Sequence, residues 1–325
     1  MKRRKDEISS HSAISSIPSP CRSREQTYQF AKKLGEGAQS LVYAAICMQT
    51  GEEVAVKEIK NHRNVAYPVA DYFREISILR YLPPHDSIVH LIDVVASESK
   101  LLLIFERCEM SLREWLDAHG TLKHAGLAGA ARQLFIAVSH IHNHGVMHRD
   151  IKPQNFLIKG GKMKLADFGL AKRSLQLMWQ EAPLTLQVAS MWYRPPELML
   201  GAERYDSSMD IWACGCVLFE MATGQVLFQG ESEIATVFKM FMRLGTPSNL
   251  DHLPHYSQRF PKWSVQTARA SLISQLSPEH GCTDLLLRCV DFNPLQRISA
   301  KDAIAKEWLT REYEVSDSPS PVGLF

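Results

Sequence analysis

Residues 146 to 158, VMHRDIKPQNFLI, set a histidine, an arginine, an aspartate, a lysine and an asparagine between apolar flanks. Charge in such a setting is costly unless a ligand or ion satisfies it, so the stretch reads as functional. Asp150 and Asn155 stand in the spacing H-R-D-x-x-x-x-N, in which the aspartate accepts a hydroxyl proton and the asparagine binds magnesium. Downstream, KLADFGLA puts Asp167 just after a short strand, where a carboxylate can hold the magnesium that bridges β- and γ-phosphates. Upstream, LGEGAQSLVY offers Gly35 and Gly37 in a strand-turn-strand, where missing Cβ atoms let backbone amides approach phosphates. Lys57 in VAVKEI is a phosphate-binding cation on a strand, and Glu75 on the following helix is its ion-pair partner. Each motif alone is weak, since a Gly turn is more often a plain hairpin and a helix Glu a solvated surface residue. Their order and spacing point to phosphoryl transfer from a magnesium-bound nucleotide.

The elements that must position these groups follow from periodicity. Alternating patterns at YQFAKKLGEG, SLVYAAICM and EVAVKEI predict three strands, the last two joined through QTGE, and strands resume at IVHLIDVVA and LLLIFE. Between them YPVADYFREISILRYL changes period, with Tyr72, Glu75, Ile76 and Leu79 on one helical face. Further on, Leu127, Leu134, Val138 and Ile141 share a face of a helix capped near Gly145, and DSSMDIWACGCVLFEMATG is apolar nearly all round, a buried helix ending at glycine. The expected fold is α+β in two lobes, a small antiparallel β lobe with one main helix and a larger, mainly α lobe. We set an extension over 1–25, the small lobe at 26–108, the large lobe at 109–311 and a tail at 312–325. The terminal pieces are rich in Ser and Pro and poor in large apolar residues, so they are expected to stay without a packed core.

Composition bounds the rest. At 325 residues the chain is long for one core. With 37 Lys+Arg against 35 Asp+Glu, bulk charge gives no support to a nucleic-acid or membrane partner. The 7 cysteines are scattered without paired spacing, and MKRRK is followed by acids and serines rather than an apolar signal core, so the expected location is cytoplasm or nucleus. Absence of GxxxxGK[ST] excludes a P-loop enzyme by that signature. HIHNHG invites a metal reading, but its alternating positions at a helix end do not converge, so a solvated helix end is expected.

Over about residues 28 to 311 the chain resembles the eukaryotic protein kinases, with PPE at Glu197 supplying the A-P-E element. Within them FREISIL, HRDIKPQN, DFGLAK, WYRPPEL, LGTP and RISAKDAI are similar to cyclin-dependent kinases. The resemblance implies ATP and magnesium as cofactors and protein substrates. It implies that Glu197 pairs with Arg297 and that Asp210 braces the catalytic loop. Lys152 marks a Ser/Thr enzyme and would neutralise the moving phosphate, with Ser190 bonding Asp150 and Lys152. Leu34, Val42, Ala55 and Leu157 would sandwich adenine, the backbones of Glu106 and Cys108 would contact it, and Phe105 would be the gatekeeper. Arg194 in WYRPPE hints at substrates with proline after the target residue.

The same likeness carries regulation. Thr185 corresponds by its distance from WYRPPE to an activating threonine, and Arg74, Arg149 and Lys172 to the cations that hold its phosphate, with Lys at the third position where Arg is usual. Ser40 stands for the third loop glycine, and Ala38-Gln39 replaces an inhibitory Thr-Tyr pair. The helix entry PVADYFRE is one residue longer than the cyclin-binding pattern, so the regulatory partner, a cyclin or another subunit, stays open; Val69, Tyr72 and Phe73 either dock it or face the sheet. The alternatives are a single-subunit kinase that activates other cyclin-dependent kinases and a nucleotide-binding pseudokinase scaffold.

Overall fold

The computed structural model describes residues 27–37, 40–60, 69–97, 100–173, 190–248, 250, 253–276 and 281–310. Thr185, the Ala38-Gln39 pair and both terminal pieces lie outside the described residues. Three strands, β1 (Tyr28–Glu36), β2 (Ser40–Cys47) and β3 (Glu53–Ile59), form a meander; helix α1 (Val69–Tyr81) follows, then β4 (Leu91–Ala96) and β5 (Leu101–Glu106). All pair antiparallel in the order β1-β2-β3-β5-β4, and in the register of the central strands β3 and β5 Lys57 stands opposite Leu103 and Ala55 opposite Phe105. One face of this sheet packs Val54, Val56, Leu102 and Ile104 together, while Tyr72 and Ile76 of α1 close the other face against Leu103 and Phe105. Alternation of apolar residues on β3 and β5 is what makes both faces coverable.

The second lobe begins with β6 (Met110–Ser111) and α2 (Leu112–His119). Ser111 caps α2 reciprocally with Glu114: the Glu114 N–H donates to Ser111 Oγ at 3.2 Å, and the Ser111 N–H to Glu114 Oε2 at 2.7 Å. Helix α3 (His124–Asn143) buries Leu127, Leu134, Val138 and Ile141 completely, the predicted face. The charged stretch then runs from β7 (Val146–Met147) to β8 (Phe156–Lys159), followed by β9 (Lys162–Leu165) and β10 (Lys172–Arg173), which pairs back on β7. After the short α4 (Pro196–Met199), α5 (Ser208–Thr223) is buried along almost its whole length and ends at Gly224 with φ +71°, a left-handed turn that only glycine adopts without penalty. Helices α6 (Glu233–Leu244), α7 (Val265–Ile273), α8 (Thr283–Cys289) and α9 (Ala300–Ile304) complete the lobe, α8 packing on α5, α7 on α6 and α9 on α3. Among the described residues no helix is long and apolar enough to cross a membrane.

The reading of HIHNHG is corrected. His140 stacks on His85 with ring centroids 4.3 Å apart and lies tilted against His144 at 4.7 Å, because i and i+4 share a helix face, while His142 Nε2 lies 2.9 Å from Asp210 Oδ2. These histidines are half-buried and each has a partner, and no metal-holding group forms among the described residues.

Arg297 and Glu197 join α4 to the chain after α8 through two buried bonds, Nη1 to Oε1 at 2.8 Å and Nη2 to Oε2 at 2.7 Å. The guanidinium also lies over the Trp212 ring, 5.0 Å from its centroid. Removing one partner of such a pair strands a buried charge, so Arg297→Ala is expected to lower unfolding free energy by about 3–5 kcal/mol in urea titration.

Candidate active site

The cleft between the lobes is a cavity of about 670 Å³. Its roof is the sheet: Leu34 and Val42 from β1 and β2, Ala55 from β3; its floor is Leu157 on β8, and Phe105 stands at the back, 8% exposed. Gly35, Gly37, Glu106 and Cys108 line the same space. The Glu106 N–H donates to the His90 carbonyl at 3.0 Å. The Glu106 carboxylate is turned away onto Lys159 at 2.9 Å and Lys164 at 3.0 Å. Burial pushes the Cys108 thiol up to about 11, with the Glu106 charge adding to it, so it remains a neutral wall. Ser40 is buried at the loop's far end, where its Oγ would sit 3.6 Å from a Cβ on Gly37.

The charged groups converge beyond this apolar slot. Lys57 Nζ donates to Glu75 Oε2 at 2.8 Å and Oε1 at 3.1 Å, and to Asp167 Oδ1 at 3.0 Å. Burial opposes the charge on Lys57, but Glu75 and Asp167 outweigh it and hold the ammonium above its ordinary range. Lys57 in turn draws Asp167 below the usual carboxylate range against the effect of burial. For Glu75 burial dominates and pushes the carboxyl upward, with Lys57 opposing. Asp167 has φ +62°, a left-handed residue that turns the chain so that Phe168 is fully buried, edge-on to His148 at 4.9 Å.

Across the cleft, Lys152 Nζ donates to Asp150 Oδ2 at 2.6 Å and to Ser190 Oγ at 3.0 Å, and the Ser190 N–H reaches Asp150 Oδ1 at 3.1 Å. Asn155 Nδ2 donates to the Asp150 carbonyl at 2.8 Å and to Oδ2 at 3.1 Å. That fixes the amide orientation and turns the Asn155 Oδ1 outward as a free ligand atom. Beneath, Asp210 accepts the His148 N–H at 2.9 Å and the Arg149 N–H at 2.8 Å, holding Arg149 at φ +70°. His148 Nε2 faces the Ala166 carbonyl at 3.0 Å and its Nδ1 receives the Asp150 N–H at 3.3 Å, which assigns the ring proton to Nε2.

Arg74, Arg149 and Lys172 also gather. Arg74 Nη1 donates to the Gly169 carbonyl at 3.0 Å and Arg149 Nε to the Leu170 carbonyl at 2.7 Å. Lys172 is held below its ordinary range by burial and then by Arg149 and Arg74. Arg194 is buried and paired with Glu233. On α1, Tyr72 faces the sheet, 5% exposed, and Phe73 faces solvent, 62% exposed.

Several site residues went unread in the sequence. Lys60 donates to the Gly37 carbonyl at 3.1 Å and pairs with Glu36, whose carboxyl is lowered to about 2 by Lys33 and Lys60, so the Gly-rich turn is clamped from β3. Tyr205 hydroxyl receives Arg149 Nη1 at 2.6 Å. Ser111 and Glu114 line the cleft, and their S-x-x-E spacing was a readable capping signal.

Residues 28–309 match the model of the protein kinase domain. The chain belongs to the protein kinase family. It is 37% identical over 288 residues, 85% of this chain and 90% of the other, to the cell division control protein 2 homolog 3 of Trypanosoma brucei brucei. The kinase is therefore of the eukaryotic, cyclin-dependent-kinase-like group, with the two-lobed fold of that family. Protein kinases use ATP and magnesium generally, and the donor set suits the metal: Asn155 Oδ1 and the half-exposed Asp167 carboxylate are hard oxygens of the kind magnesium takes.

With Lys57 removed, the buried Glu75 loses the ammonium that bonds both of its oxygens. Lys57→Met is expected to lower the rate of phosphate transfer by about 10²-fold or more, read from initial rates at saturating ATP.

Proposed function

We propose that the protein transfers the γ-phosphoryl group of ATP to Ser or Thr hydroxyls of protein substrates, with proline preferred after the acceptor. The observation that carries this reading is the joint presence, around one cleft, of the Lys57–Glu75–Asp167 triad and the Asp150–Lys152–Asn155–Ser190 cluster. Asn155 and Asp167 would hold magnesium, which supplies charge neutralisation on the phosphates when bound.

The chain's own groups do the remaining work. Lys57 fixes the nucleotide phosphates, and the apolar walls fix the base and exclude water. Asp150 orients the incoming hydroxyl and takes its proton, while Lys152, 2.6 Å away, offsets charge on the oxygen and on the transferring group. Little covalent work is asked, so positioning and electrostatics dominate. The Lys152–Ser190 bond ties the substrate-side segment to this carboxylate, and Ser190 leads directly into the segment bearing Arg194, which supports the proline preference. The exposed Phe73 on α1 supports a regulatory subunit, a cyclin or a protein of like role, seated on that helix, and the scattered cysteines without paired spacing support cytoplasm or nucleus as the place of action.

Arg74, Arg149 and Lys172 repel one another, and a phosphate on Thr185 would relieve that repulsion. Two measurements test these statements. In a magnesium-dependent transfer assay on Ser-Pro peptides, Asp150→Asn should retain ATP affinity and lose about 10²- to 10⁴-fold in kcat; wild-type-like turnover would remove Asp150 from the mechanism, and a wild type without turnover would leave a nucleotide-binding scaffold. Thr185→Ala should lower kcat/KM about tenfold relative to the phosphorylated enzyme, and phosphatase treatment should do the same to wild type but not to the variant.

A further inference from the structure

A second cavity, of about 400 Å³, lies in the large lobe where the start of α2, the end of α5 and the outer face of α6 meet. Arg113, Glu220, Gln225, Gln229, Lys239 and Arg243 line it. Its charges do not cancel. Glu220 is fully buried and already engaged on both oxygens, one by Arg113 Nη1 and the other by the Tyr193 hydroxyl at 2.7 Å. The second Arg113 amino group is taken by Asp117 at 2.7 Å, and Arg113 Nε is buried without a partner among the described residues. Arg113 and the acids are therefore accounted for, and Lys239 and Arg243 remain as excess positive charge.

Arg243 is the informative group. Its Nη1 donates to Gln275 Oε1 at 2.7 Å, and the guanidinium lies over the Phe219 ring, 5.5 Å from the centroid. An amide and an aromatic face thus fix its direction, and no carboxylate among the described residues bonds it. Burial alone lowers its pKa. A guanidinium held in place, partly stripped of water and given no counter-charge is an uncompensated cost that a bound anion would offset. Lys239 on the same helix adds a second cation without an ion pair among the described residues, and the Gln225 and Gln229 amides add hydrogen-bond donors. The carbonyl end of α5 also favours cations here, but Arg243 spends its bond on a side-chain amide and not on that end.

The cavity is joined to the substrate side of the cleft. Glu220 binds Tyr193, whose N–H donates to the Ser190 carbonyl at 3.0 Å, and Ser190 bonds Asp150. Arg194, next in sequence, ties the start of α6 to the same segment through Glu233. An anion seated between Arg243 and Lys239 is thus carried on the framework that presents the acceptor hydroxyl.

We propose that this cavity binds the phosphate of a phosphoserine or phosphothreonine on the protein substrate, so that the kinase favours substrates already phosphorylated at a second position. The proposal rests on the protein-phosphorylating reading of the cleft for its consequence, but not for the binding itself. Calorimetric titration of the full chain with N-acetyl-O-phosphoserine amide should give saturable binding, weakened about tenfold or more in both Lys239→Glu and Arg243→Gln, with ATP affinity and thermal unfolding unchanged. In transfer assays on Ser-Pro peptides bearing phosphoserine at successive flanking positions, wild type should prefer one position about tenfold over the unphosphorylated peptide. Both variants should lose that preference at an unaltered rate on the unphosphorylated peptide. No binding to wild type, equal binding to all three proteins, or equal affinity for N-acetyl-aspartate amide would overturn the phosphate site. Binding that behaves as expected in a protein unable to phosphorylate any peptide would leave the site standing and overturn the reading of the cleft instead.

Discussion

One ammonium group holds this molecule's two lobes in working register. Lys57 rises from the centre of the small sheet, Glu75 reaches it from α1 and Asp167 from the large lobe, so three separate elements meet at Nζ. The geometry has an energetic edge. Glu75 is 1% exposed, and its buried charge is tolerable only while Lys57 stands within bonding distance. A rotation of α1 that carried Glu75 away would strip that buried carboxylate of Lys57 and leave Lys57 with Asp167 alone, so the helix position and the assembly of this triad are one equilibrium. Anything that binds α1, where Phe73 projects to solvent, acts on that equilibrium directly.

The large lobe solves the opposite problem, fixing a loop rich in charge without a regular ladder to hold it. Asp210, on the most buried helix, accepts two successive backbone N–H groups from His148 and Arg149 as well as the His142 ring. Burial would protonate it, yet those bonds hold its carboxyl below the ordinary range, so the floor of the loop stays an anion. The left-handed backbone at Arg149 and again at Asp167 costs roughly 1–3 kcal/mol each, and both residues are held by this hydrogen-bonding and by the ion triad. Strain sits where side chains must be aimed, Asp150 following one such residue and the Asp167 carboxylate belonging to the other.

Much of this was legible in the sequence because it is written locally. Strand alternation gave β1 to β5, the helical face of α3 was read residue by residue, and the H-R-D-x-x-x-x-N spacing put Asp150 and Asn155 on one short loop. What escaped depended on long-range meeting. Arg113 and Glu220 are 107 positions apart, and neither has a local pattern that announces the other. His140 was misjudged because alternation in the string HIHNH hid the i, i+4 pair that stacks with His85, a residue from another element. Glu106 was read only for its backbone, and its carboxylate serves instead to clamp Lys159 and Lys164 of β8 and β9 beneath the hinge.

The buried Arg113–Glu220–Tyr193 chain bears on how the two ends of the cleft communicate. Burial pushes both the Glu220 carboxyl and the Tyr193 phenol upward; the Tyr193 hydrogen bond and then Arg113 draw Glu220 back, and Arg113 draws Tyr193 back. Arg113 belongs to α2, whose first turn begins at the cleft wall with the Ser111–Glu114 cap, while Tyr193 belongs to the segment that follows Ser190. A buried carboxylate that accepts from both cannot follow one without releasing the other. The end of the nucleotide slot and the start of the substrate segment are therefore coupled through the floor of the lobe as well as across the open cleft, by an ion pair whose loss would leave Glu220 buried without a cation.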